Sequence, residues 1–152
     1  MYVMGKTLWN RKMDFETIAG EYFQGAFGPD GNLACAYLAR LSQLFQPLYT
    51  SDKNEVKDTE IYRIIREFEP IIKTNLEIKN QCIRNSWSYL EIHQEICKGL
   101  AKICKAKVEG DQVQVSQCWN EIKAIVQQKE DELQTVLDVF LFIHTFESKV
   151  IN

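Results

Sequence analysis

Between Gln81 and Lys107, Cys82, Tyr89, Ile96 and Ile103 recur every seven residues, each followed directly by Ile83, Leu90, Cys97 or Cys104. On a helix of 3.6 residues per turn these positions merge into one apolar stripe, wide enough to face more than one neighbour. No proline interrupts it. A helix of this kind needs further helices to cover it, and the rest of the chain supplies them.

Asp14 reads as an N-cap before Phe15, Ile18, Ala19, Tyr22, Phe23 and Ala26, which follow a helical period. This first helix is expected to end near Ala26, with Gly25 and Gly28 as its exit. Gly28-Pro29-Asp30-Gly31 has the residues of a type I turn and links it tightly to a second helix. That helix carries Leu33, Tyr37, Leu41, Leu44 and Leu48 and closes at Pro47, before a polar loop from Thr50 to Lys57. Asp58 is the expected cap of a third helix, with a bend near Phe68 to Glu69 because Pro70 removes a backbone donor. Glu109-Gly110-Asp111 ends the long striped helix and caps the next, whose face is Val115, Cys118, Trp119, Ile122 and Val126. Apolar residues lie nearly all round from Leu133 to Ile143, which fits a buried helical end or an extended segment, and helix through about Ile143 is preferred. The expectation is an all-α fold: a bundle of about five helices with short connections and a long antiparallel pair in the C-terminal half. Residues 1–152 make one domain, with 1–13 as a lead-in that ends an upstream domain.

Composition agrees. A chain of 152 residues buries roughly two thirds of its unfolded surface, and 7 Gly with 3 Pro leave few interruptions. The 18 basic and 21 acidic residues are mixed along the chain, without the basic face that binds nucleic acid. The longest apolar run, Val136 to Ile143, contains Asp138 and is far shorter than the roughly 20 residues of a membrane span. Five cysteines without a C-x-x-C pair read as small buried hydrophobes in a reducing compartment, and no secretory signal follows Lys6, so a cytoplasmic location is expected.

Reactive constellations are scarce. Glu-x-x-His and H-E-x-x-H are absent, and His144-x-x-Glu147 is reversed, so no metal and no cofactor are expected. Gly25, Gly28 and Gly31 have neither a preceding strand nor a following Lys-Ser/Thr, and form a turn rather than a phosphate loop. A Cys97–His93 pair at i, i+4 is geometrically open to nucleophilic chemistry but isolated. Trp87, Tyr89 and His93 sit at the border of the apolar stripe, where they serve either as core or as the edge of a surface facing another domain or a ligand. Trp9 is similarly a core residue or an interface anchor.

Leu8-Trp9-Asn10, Asp14-Phe15-Glu16, Glu21-Tyr22-Phe23 and Ala26-Phe27-Gly28-Pro29-Asp30-Gly31 together resemble the segment that follows the barrel in a group of bacterial (β/α)8-barrel glycoside hydrolases of unknown function. That group is distantly similar to α-glucuronidases and β-hexosaminidases. Tyr37-Leu38, Ser86-Trp87-Ser88-Tyr89-Leu90 with His93, Glu109-Gly110-Asp111 and Leu137-Asp138-Val139-Phe140-Leu141-Phe142 extend the resemblance over nearly the whole chain. Arg11 departs from it, since the group commonly has Pro there. The resemblance implies that catalytic carboxylates belong to an upstream barrel and none to this chain. The chain would then be a non-catalytic C-terminal helical domain that packs on the barrel and borders its sugar site. The alternative is a freestanding helical interaction module that forms a homodimer through its apolar stripes.

Overall fold

Every regular element that the computed structural model describes, over residues 2–45 and 57–150, is helical. Helix α1 spans Tyr2–Trp9 and α2 spans Phe15–Phe27; after a 3-10 turn at Gly28–Asp30, α3 runs Gly31–Phe45. Helix α4 covers Asp58–Asn75, α5 Gln81–Glu109, α6 Gln112–Gln128, the single turn α7 Glu130–Leu133, and α8 Val139–Val150. The all-helical expectation therefore holds among the described residues. The expected end of the second helix at Pro47 and nearly all of the Thr50 to Lys57 loop lie outside them.

Several boundaries follow from local chemistry that the residues announce. The Asp14 carboxylate accepts hydrogen bonds from the Thr17 backbone N–H at 2.8 Å and its hydroxyl at 2.9 Å, satisfying an orphan donor of the first turn. Gly110 takes the left-handed conformation at φ 74°, and Asp111 accepts from the Gln114 N–H at 2.9 Å, so one helix is stopped and the next started within two residues.

Other boundaries differ from expectation. The lead-in is helical, forming two turns of α1 that bury no side chain. Gly25 lies inside α2 rather than at its exit; Gly28, at φ 72°, makes that exit. Asp58 sits in the first turn of α4 with Lys57 at the cap position, its carboxylate turned to the Thr59 N–H. Helix α4 runs on through Pro70 to Asn75, because the proline withdraws a single donor while Ile64, Ile65, Phe68 and Ile72 keep both halves buried on one face. In the ambiguous tail, Asp138 separates two elements: its carboxylate accepts from the Leu141 N–H and its carbonyl from the Phe142 N–H, so α8 begins at Val139 and continues well beyond Ile143. The cysteines are unpaired, with Cys97, Cys104 and Cys118 buried, but Cys35 is half-buried and Cys82 exposed, so not all five are core residues.

Helix α5 is the axis of the packing and meets α2, α4 and α6, which accounts for the breadth of its stripe. Gly31 lets α3 cross the end of α2 so closely that a Cβ there would collide with the Phe23 carbonyl. On the α6 side, Ile122 packs over Gly99, where an added Cβ would lie 2.6 Å from the isoleucine Cγ1. Fully buried Leu41, Ile61, Ile65 and Ile72 each contribute about 1.5–3 kcal/mol through removal from water. The buried Asn75 amide donates to the Asp30 carboxylate at 2.8 Å and to the Ile71 carbonyl at 2.9 Å, tying the 3-10 turn to the end of α4.

Candidate ligand-facing cavity

An aromatic column rises through this core. Phe23 stacks on Phe27 at 5.6 Å, Phe27 meets Trp87 edge-on at 5.3 Å, and Trp87 lies 6.1 Å from Phe68, which stacks on Tyr37 at 4.2 Å. Offset and edge-on rings at these separations are favourable beyond their area burial. The Trp87 indole N–H donates to the Phe27 carbonyl at 3.0 Å, so its one polar atom is satisfied. At the top of the column the His93 ring sits 6.3 Å from Tyr37, nearly perpendicular to it.

Beyond His93 lies a half-open cavity of about 990 Å³. One wall comes from α5, with Tyr89, His93, Ile96 and Leu100; α2 and α3 give a second, and Leu133, Leu137, Phe142 and Phe146 close the far side. The lining is chiefly hydrocarbon and aromatic ring, and no Asp, Glu, Lys or Arg is among the described residues that form it. The Tyr89 hydroxyl faces the Thr135 hydroxyl at 3.3 Å on this border. Helix α8 is held in place from outside, where Glu147 accepts from the Trp119 indole at 3.2 Å and from the Lys123 ammonium at 2.9 Å.

The four singled-out residues are therefore divided. Tyr89 and His93, one turn apart on α5, line the cavity together. Trp87 does not border any surface; it is 0% exposed, because its position on the striped helix turns it toward Phe27 and Phe68. Trp9 is 93% exposed on α1 and forms no part of the cavity lining. Spacing did not indicate the contribution of Phe142 and Phe146, because an apolar segment without a clear period does not say which side it turns inward.

Cys97 and His93 are in contact, with the thiol sulfur 3.5 Å from Nε2. Their surroundings oppose nucleophilic chemistry. Burial pushes the Cys97 thiol up to about 12 and holds the His93 imidazole below its ordinary value, so both are neutral near pH 7, whereas an attacking cysteine requires a stabilised thiolate. The adjacent Gln94 amide donates to the Ile65 carbonyl at 3.5 Å and does not orient the ring. Burial also raises the Tyr37 phenol, whose oxygen has no hydrogen-bond partner among the described residues.

No group of three or more His, Cys, Asp or Glu side chains among the described residues is placed to hold a metal ion, and no described helix is long and apolar enough to cross a membrane. No protein-family model matches the chain, and neither a curated protein nor a solved structure matches it.

Proposed function

We propose that this chain is a non-catalytic helical accessory domain of a glycoside-hydrolase-like protein, docking on a catalytic (β/α)8 barrel through its first two helices. The observation that carries the reading is the apolar surface of α1 and the start of α2, where Met4, Leu8, Trp9 and Phe15 are all largely exposed. Several large apolar side chains left in water along one short segment suit a surface that another surface covers. Helix α1 itself is attached by exposed contacts, the Lys6–Glu21 ion pair at 2.6 Å and the Tyr2–Tyr22 ring contact at 5.5 Å, which leave its outer face available. The turn and packing segments that resemble the barrel-linked group support the same reading. Here Trp9 is the interface anchor, and Tyr89 and His93 belong to a separate recess.

The proposal includes an arrangement of about five principal helices, α2 to α6, in which α5 and α6 are an antiparallel pair. The Gly110–Asp111 link supports this, as does the Gly99–Ile122 contact, each partner lying eleven residues from the link. A cytoplasmic setting accords with five unpaired thiols.

The test begins with the DNA immediately upstream of the Met1 codon. An open frame with barrel periodicity is expected; a stop codon followed by a ribosome-binding site would overturn the reading. With that upstream segment joined to the chain, Trp9 fluorescence should become shielded from acrylamide, and continued full quenching would remove the docking claim. The pure chain should turn over no glycoside.

A further inference from the structure

We infer that the cavity lined by α5, α8 and their neighbours is a binding site for a neutral, largely hydrocarbon or aromatic small molecule, carrying one hydrogen-bonding group that His93 reads. The inference does not depend on the accessory-domain proposal, which concerns a different surface.

The half-open recess of about 990 Å³ falls at the upper end of ligand pockets, which span about 300–1,000 Å³. Along the wall of Leu90, Ile96, Leu100, Leu137, Phe142 and Phe146 water finds no polar partners.

Charge narrows the ligand. Charged residues make up 26% of the chain, yet none lies among the described residues of the lining. A carboxylate, phosphate or ammonium would be drawn out of water against this lining without a counter-charge. A sugar hydroxyl placed against the apolar wall would lose its partners.

The polar side chains of the lining are few: Ser42 and Gln43 lie exposed on α3, and the Ser86 hydroxyl already donates to the Cys82 carbonyl at 3.3 Å. The Tyr89 hydroxyl is engaged with Thr135. Among the described residues the His93 ring nitrogens have only the Cys97 sulfur within hydrogen-bond distance, at 3.5 Å and 3.8 Å, and sulfur is a weak partner. The imidazole thus retains capacity for one hydroxyl or carbonyl of a ligand.

The test is a fluorescence titration of the pure full chain with N-phenyl-1-naphthylamine, a neutral apolar probe. Saturable uptake of one probe per chain is expected, with displacement by a long-chain alcohol about tenfold stronger than by the fatty-acid anion of equal length. Leu100→Trp should weaken the probe by about tenfold or more. Because a larger side chain at that buried position can impair folding, Val136→Trp, at the exposed mouth, should give the same loss. Val113→Trp, exposed on α6 outside the lining, should leave probe affinity unchanged. Non-saturable uptake, equal displacement by the anion, or unchanged affinity in both cavity variants would overturn the site. So would a lack of uptake because a second copy or the chain's own residues fill the recess.

Discussion

Trp87 and Trp9 are the same residue in opposite circumstances. Trp87, on α5, is sealed within the aromatic column with its indole N–H bonded to a carbonyl, while Trp9, on α1, is almost wholly in water. Around Trp87 the α4–α5 region closes over its own apolar surface, and the α1 region does not. The difference shows that burial here is decided by how many elements surround a helix, not by how apolar the helix is. Helix α5 has neighbours on several sides, whereas among the described elements α1 packs appreciably only on α2.

The contrast can be broken most forcefully at its buried end. Trp87→Ala should cost about 3–5 kcal/mol, read as a lower urea midpoint, since it opens a void between Phe27 and Phe68 and strands the Phe27 carbonyl. A loss below about 1 kcal/mol would mean that the column is loosely packed. Gly31→Ala comes next, at about 1–3 kcal/mol, because the new methyl meets the Phe23 backbone and not a side chain able to turn away. An unchanged midpoint would show that α2 and α3 can separate freely.

A pH dependence should follow from His93. Its imidazole binds a proton less readily in the fold than at the ordinary value of 6.5, so the unfolded chain takes up more protons as the pH falls. The stability associated with a neutral His93 is complete above 6.5 and is lost as pH drops through the lowered folded value. His93→Gln should flatten that acidic limb of urea midpoint against pH; an unaltered slope would place the proton uptake elsewhere. The smallest effect is expected at Trp9→Ala, within about 0.5 kcal/mol for the isolated chain. A large loss there would mean that α1 is integral to the core and would remove the contrast.

Helix identity was legible where a residue states its own chemistry. Asp14, Gly110 and Asp111 act within a few bonds of themselves, through a cap or a left-handed backbone, and their roles could be read from the chain. Pro70 was less transparent, because a missing hydrogen bond competes with the packing of Phe68 and Ile72, and packing is not a local property. The site shows the same limit. Trp87, Tyr89 and His93 were visible together at the stripe's edge, but which of them face the recess was not, and the apolar wall opposite Tyr89 and His93 comes from residues some forty to sixty positions away.

The residue pattern alone determined that this protein is helical, because a 3.6-residue period, few breakers and side-chain caps act over single turns. Tertiary packing decided which aromatic residues became interior and which remained surface, and it left the uncharged recess beside His93. Periodicity marks an apolar face, but only the arrival of other helices determines whether that face is filled, exposed or hollow.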